Sequence, residues 1–431
     1  MHWRCVITSL RSKLIKGGLS SITTRVLAIL SGFLLSVGIV RVLGAEEYGR
    51  YAFVLTVVTL LAMPSVLGLP TLVVREIASS GPTKNWGRIR GIRNWSLCLA
   101  TISSFIFCTS AALFIHAGII SVDAELKPVF LLGFILVPLF AFAEIVDAIL
   151  RGVHQVFWGQ FPNRVMRPLL ILTVVVATYY VLQRPVSAFH VVVITIFVLV
   201  GVLSLGLLLV RRHLPAAIYT SKARYANSEW LRVLMPLSII SGLQAVYNNT
   251  DLLAIGMMVD TTSVGTYRIA LSIANVASLG VVAINLVVMP HYASLYEQND
   301  WNKIRKISMY AGLGAFSISC VMTAFLFVFG RPLIVLIYGV DQSGAYWPAL
   351  LLSLGNAVYG IWASLGGVAM MTGREDRFLK ILIGSVVANV VLNFVLIPKY
   401  QINGAAIASA ISYVLNGILL WIFTKDLLKD L

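Results

Sequence analysis

The stretch VVVITIFVLVGVLSLGLLLV (Val191–Val210) runs for twenty residues without one charged side chain. At about 1.5 Å per residue, a helix of that length covers roughly 30 Å, the thickness of a bilayer's hydrocarbon core. Arg211, Arg212 and His213 follow at once, so the run ends on charge. Val281–Met289 has the same character. Across 431 residues, 59% are hydrophobic and 12% charged, with a mean hydropathy of +0.90. A soluble domain carries about a quarter charged residues. Its core stops growing near roughly 250–300 residues, so it could not bury this much apolar surface. Lipid is the solvent that accepts it, and the expected fold is an all-α polytopic membrane protein.

Hydropathy places about twelve spans, near 20–41, 51–74, 96–120, 128–150, 168–183, 186–210, 231–257, 264–289, 308–329, 346–371, 378–397 and 403–423. Residues 331–338 are apolar but too short to cross, and either extend the ninth span or lie at the interface. The start, MHWRCVITSLRSKLIKGG, is basic and leads into a full-length span, which reads as an uncleaved first helix. With the N-terminus inside, 24 of the 33 Lys and Arg residues fall in inner segments, six in outer segments and three within spans. That alternation follows the positive-inside rule and puts both termini in the cytoplasm. The same scatter explains the net charge of +16 and argues against a nucleic-acid partner. Cys5, Cys98, Cys108 and Cys320 form no C-x-x-C pair, so no metal, redox cofactor or other cofactor is expected.

The two halves resemble each other. Trp86-Gly-Arg88-Ile89-Arg90-Gly-Ile92 matches Trp301-Asn-Lys303-Ile304-Arg305-Lys-Ile307. Gly49-Arg-Tyr51 matches Gly265-Thr-Tyr267, and Gly152 with Phe157 matches Gly373 with Phe378. The matches keep their order and nearly their spacing, and both basic loops fall inside. The expected organisation is therefore two parallel six-helix bundles, 1–210 and 231–431, joined by a cytoplasmic linker at 211–230. Repeats related by an axis along the membrane normal are a transporter arrangement.

RVLGAEEYGRYAF (Arg41–Phe53) and GLPTLVVREIA (Gly68–Ala78) resemble the start of polysaccharide-exporting flippases. NNTDLLAIGMMVDTTSVGTYRIALSI (Asn248–Ile273) and VVANVVLNFVLIPKYQINGAAIASAIS (Val386–Ser412) resemble later parts of the same family. That family is the Wzx-type O-antigen and lipid-linked oligosaccharide flippases, in the multidrug/oligosaccharidyl-lipid/polysaccharide superfamily. The resemblance implies two six-helix bundles around a central cavity. It also implies a polyprenyl-pyrophosphate-linked oligosaccharide turned from the cytoplasmic to the outer leaflet of a bacterial inner membrane. Partners so implied are the lipid-linked oligosaccharide, the bilayer, H+ or Na+ as coupling ion, and polysaccharide assembly proteins.

Ionisable groups inside lipid are costly and mark pathways. In the seventh span Gln244, Asn248 and Asp251 stand at i, i+4 and i+7 and share a face, which reads as a cavity wall or as interhelical hydrogen bonding. In the fourth, Glu144, Asp147 and Arg151 share a face, either as candidates for ion coupling or as a salt-bridged cluster. Arg25 and Arg268 lie about one turn inside the first and eighth spans, to grip a pyrophosphate or to snorkel to the interface. The related flippases of the peptidoglycan precursor carry cavity arginines on helices one, two and eight; here the second span offers only Arg50 and Arg75, at its ends. Tyr247 and Tyr267 are candidates to stack on the sugar. Asn275, Asn285, Asn389 and Asn393 read as helix–helix glue.

No P-loop, H-E-x-x-H or G-x-S-x-G is present, which argues against an ATP-driven pump. A membrane-embedded glycan polymerase or glycosyltransferase would need a sizeable extramembrane catalytic loop, and the expected outer loops are short. The reading is a transporter, not an enzyme. A multidrug or cation antiporter of the same superfamily is the alternative.

Overall fold

The computed structural model describes residues 2–66, 68–117, 125–183, 185–298, 300–371 and 375–427. They are helical nearly throughout. In chain order the helices are α1 (His2–Leu43), α2 (Ala45–Val66), α3 (Leu69–Ser80), α4 (Trp86–His116), α5 (Lys127–Gly133), α6 (Leu136–Gly152) and α7 (Val156–Phe161). A π-turn (Pro162–Met166) leads into α8 (Arg167–Leu182), then α9 (Ala188–His213), α10 (Ala217–Thr220), α11 (Asn227–Met258), α12 (Thr261–Ala277) and α13 (Leu279–Glu297). α14 (Trp301–Tyr338), a short 3-10 turn, α15 (Tyr346–Met371) and α16 (Glu375–Leu427) complete the chain.

Among the described residues ten helices are long and apolar enough to cross a membrane. The count is eleven if Thr261–Ala277 and Leu279–Asn285, bent by 46°, form one span. α16 has 53 residues, about 80 Å if straight, far beyond a hydrocarbon core of about 30 Å. Its backbone breaks at Gln401 (φ 50°, ψ −132°), three residues after Pro398, which makes it two crossings. This accords with twelve spans.

Two expectations shift, and one alternative is decided. The second span stops at Val66 rather than running to residue 74, because Gly68 turns left-handed (φ 67°). α3 is a separate amphipathic helix that buries Leu69, Leu72, Val73, Glu76, Ile77 and Ser80. The fifth span begins at Val156 rather than 168, so Arg164 and Arg167 lie inside it rather than in a loop. Residues 331–338 simply continue α14. Gly373 of the expected repeat lies outside the described residues.

The chain divides into two compact units, Met1–Leu43 with Val54–Ala245, and Gly44–Phe53 with Val246–Leu431. Two of the three boundaries cut through a helix, α2 and α11; the third falls between α1 and α2. In the first unit α3, α4 and α6 enclose Leu72, Ile77, Ile92 and Ile145. The segment after α9 is docked into that core through Leu214, Ile218 and Trp230. Arg90 donates to the carbonyls of Tyr219 (2.6 Å) and Ser221 (2.8 Å), and Arg93 lies over the Tyr219 ring. Arg88 bridges Glu76 and Glu229, both at 2.6 Å.

In the second unit the first turns of α2 cross α12 backbone to backbone. A β-carbon added at Gly265 would stand 2.9 Å from the Gly49 Cα. These are the two glycines matched by the internal repeat. Arg50, beside them, is held by Glu46 (2.9 Å) and Glu47 (2.7 Å). At the other matched motif, Asp300 caps α14 through the Lys303 amide and pairs with its ammonium. The Lys303 contacts hold that carboxyl below the usual carboxylate range.

Candidate functional site

Two polar constellations lie inside spans, one in each unit. In the second unit the centre is Asp251, buried on α11. Its Oδ2 accepts from the Tyr267 hydroxyl (2.6 Å) and from Ser409 Oγ (2.5 Å). Its Oδ1 accepts from Asn393 Nδ2 (2.7 Å) and from Asn389 Nδ2 (3.4 Å). The amides are linked to each other, Asn393 Nδ2 to Asn389 Oδ1 at 3.2 Å, and Asn389 Nδ2 also reaches Ser409 Oγ at 3.1 Å.

Local structure explains this convergence. Asn389 and Asn393 stand one turn apart on α16 before its break, which puts them on one face. Ser409 lies after the break, so the kink at Gln401 lets one continuous segment supply donors from two directions. Tyr267 comes from α12, two residues past the glycine that lets α2 approach. Among the described residues no cation contacts Asp251. A buried charge without an opposite charge is costly, and four neutral donors only partly offset it. The arrangement therefore suits a carboxyl that takes up a proton or a small cation. Asp251, Ser409, Tyr267 and the two amides bring five oxygen-bearing side chains together, the donor type that hard cations use. Among the described residues no group of three or more His, Cys, Asp or Glu could hold a metal ion.

The structure places the other expected residues of this stripe differently. Gln244 and Asn248 are exposed, whereas Asp251 is buried. The passage of α11 from the first unit to the second, between Ala245 and Val246, separates Gln244 from the other two; of Asn248 and Asp251, both in the second unit, only Asp251 is covered. Tyr267 is fully buried with its hydroxyl committed to Asp251. Tyr247 stacks edge-on with Tyr413 (5.9 Å), which in turn lies 6.3 Å from Tyr359. Arg268 is half-buried and is not among the partners of Asp251.

In the first unit the carboxylates are paired. Asp147, buried, accepts from Arg151 Nε at 3.0 Å, and its other oxygen is buried without a partner among the described residues. Glu144 meets Arg164 at 3.8 Å. Arg25, exposed on α1, lies within electrostatic range of Arg164. Arg167 sits over the Phe140 ring at 5.1 Å. Sequence reasoning missed Arg164, because four of the seven residues from Pro162 to Pro168 are proline or arginine and the stretch reads as a loop.

A sequence profile described as polysaccharide biosynthesis protein matches residues 14–296, more than half of the chain. The chain belongs to that family. It is 28% identical over 283 residues to the probable flippase AglR of Haloferax volcanii, covering 63% of this chain and 54% of that one. It is 22% identical over 215 residues to the capsular polysaccharide biosynthesis protein CapF of Staphylococcus aureus, covering 48% and 54%. The chain thus spans about half the length of the curated relatives it matches. Among solved structures it resembles an inward-facing multidrug resistance MATE family transporter of the MOP superfamily. That match has a TM-score of 0.75 and 14% identity, over 96% of this chain and 98% of that one. The lipid II flippase MurJ in an inward closed conformation gives a TM-score of 0.74 and 14% identity over 95% and 87%. At such identity these likenesses show the fold alone: a polytopic bundle of membrane-spanning helices.

Proposed function

We propose that this family member is a flippase. It moves a polyprenyl-pyrophosphate-linked oligosaccharide from the cytoplasmic to the outer leaflet for cell-surface polysaccharide assembly. The observation that carries this is the match to a relative named as a probable flippase, within a family described by polysaccharide biosynthesis. The proposed setting is the cytoplasmic membrane of a bacterium, with both termini inside and six spans in each parallel half. No covalent bond is made or broken; the work is alternating access, driven by an ion gradient, and polysaccharide assembly proteins take the product onward.

Asp251 is the proposed coupling group. Buried among neutral donors, it can change charge state with a large change in its surroundings' energy, which a salt-bridged carboxylate cannot match. Glu144 and Asp147 are the second candidates, supported by the buried oxygen of Asp147 that has no partner among the described residues. Arg25 and Arg268 are the proposed diphosphate-facing cations, and Gln244, Asn248 and Tyr247 the sugar-facing groups. Tyr267 serves by holding Asp251.

The test is purified protein in proteoliposomes with a fluorescent lipid-linked oligosaccharide, its exposure to an outside quencher followed over time. Gradient-dependent transfer supports the proposal. Efflux of a cationic dye with no glycan-lipid transfer would replace it with the antiporter reading.

A further inference from the structure

We propose that Arg164, carried on the π-turn of the fifth span, forms a diphosphate clamp with Arg25, and that Glu144 is its exchangeable counter-ion. The inference rests on the flippase reading for the source of the diphosphate.

Three observations converge. First, geometry places Arg164. A π-turn inserts one residue into a helix and is frequent at functional sites. Here it spans Pro162–Met166. Ser31 on α1, buried, donates to the Arg164 carbonyl at 3.3 Å, which seats the turn against α1, the helix that carries Arg25. Second, depth matches. Gly152 ends α6 and Val156 begins α7, so the two helices form a hairpin. Glu144 and Arg164 each lie eight residues from it, about 12 Å into their spans. The pair is level, well inside the apolar region, and half-exposed rather than packed away, with side-chain exposures of 36% and 48%. Third, charge does not balance. Asp147 is taken by Arg151. Glu144 is the carboxylate in ion-pair range of Arg164, at a loose 3.8 Å, with Asp147 within longer electrostatic range, while Arg25 meets no carboxylate among the described residues and instead repels Arg164. An arginine without an acid in a span is expensive unless a ligand supplies the anion.

A diphosphate supplies it. Its oxygens accept the paired N–H groups of guanidinium in a fork that ammonium cannot copy. Two arginines answer its charge, and Glu144 swings away as like charge arrives. When the diphosphate leaves, Glu144 returns and spares Arg164 an unpaired state. Arg164 thus has an anionic partner in both arrangements and exchanges one for the other.

The experiment measures binding of farnesyl diphosphate to the full-length protein in phosphatidylcholine nanodiscs. We expect Arg164→Gln and Arg25→Gln each to weaken binding tenfold or more, Arg164→Lys to restore little, and Glu144→Gln to tighten it severalfold. The double variant Glu144→Gln/Arg164→Gln keeps the local charge balanced, which guards against misfolding. A clamp predicts weak binding by the double variant; wild-type affinity there would mean a structural ion pair and overturn the proposal. Unchanged or weaker binding by Glu144→Gln would overturn it too. Inorganic pyrophosphate should compete with farnesyl diphosphate. Competition by phosphatidylglycerol but not by pyrophosphate would assign the arginines to bulk lipid headgroups and sink the diphosphate clamp. Arginine-dependent binding together with absent glycan-lipid transfer would count against the flippase reading while leaving the clamp intact.

Discussion

Asp251 and Asp147 are both buried aspartates inside spans, yet their surroundings are opposite in kind. Asp147 has an arginine one turn along its own helix, a local pairing that any helix can supply. Asp251 has no such partner, and its four donors come from residues 16 to 158 positions away. A local ion pair forms with the helix and changes little afterwards. A neutral cage closes only when α11, α12 and both arms of α16 are packed together. Its strength therefore depends on how those helices sit. That dependence is what a transporter needs where ion uptake must follow conformation.

The comparison breaks most easily at Asp251. Asp251→Asn should slow glycan-lipid transfer tenfold or more and remove its dependence on the proton or sodium gradient, measured in proteoliposomes at matched protein levels. The amide keeps the volume and can still accept, so the fold should survive. Asp251→Ala removes the acceptor of four buried donors, each unmet donor costing about 1–3 kcal/mol, and should also lower thermal stability. Wild-type gradient dependence in Asp251→Asn would end the proposed role.

Arg268 sharpens the same side of the comparison. Arg268→Ala should reduce glycan export severalfold in a complementation assay, and Arg268→Lys should recover only part of it if a diphosphate is gripped. Full rescue by Lys would leave Arg268 as an interfacial anchor, since lysine snorkels as well.

A smaller effect, on stability, tests how the cage is held. Gly265→Ala pushes a β-carbon against the Gly49 backbone two residues from Tyr267. Overpacking of this kind costs about 1–3 kcal/mol. The expected result is a lower melting temperature in detergent with partial loss of transport. An unchanged melting temperature would show that α2 can yield at the crossing.

The two regions were also unequally legible in the sequence. Hydropathy located the spans because a bilayer imposes one length on every crossing. Asp251 stood out as a charge in an apolar stretch, but its partners did not. Asn389 and Asn393 read as helix glue and Ser409 as nothing at all, because their meeting depends on the break at Gln401, and no local pattern encodes where two arms of a helix point. The face shared by Gln244, Asn248 and Asp251 follows from helical spacing, but spacing cannot say that only Asp251 meets packed neighbours. Glu144, Asp147 and Arg151 were visible as a local cluster. Arg164 was hidden by the prolines around it, which depress the helical reading where a π-turn in fact continues the helix.

The smallest expected effect concerns the paired side. If Asp251 couples the ion, Asp147→Asn should leave gradient dependence intact. The substitution keeps an oxygen for Arg151 Nε, and Arg151, 25% exposed, can otherwise turn to a polar neighbour or the interface. Asp147 is only 1% exposed, so the loss of the pair falls on stability rather than on coupling. Transfer rates within about twofold of wild type are expected, measured with and without an imposed gradient in the same vesicles. Two features make this a sharp measurement. The buried second oxygen of Asp147 has no partner among the described residues, so a proton could reside there, and Asn would abolish that site while leaving the Arg151 contact. The Asp251 variants provide the reference for lost coupling on the same scale. Should Asp147→Asn uncouple transfer while Asp251→Asn does not, the roles of the two units are reversed. The local ion pair is then the moving part and the neutral cage the scaffold.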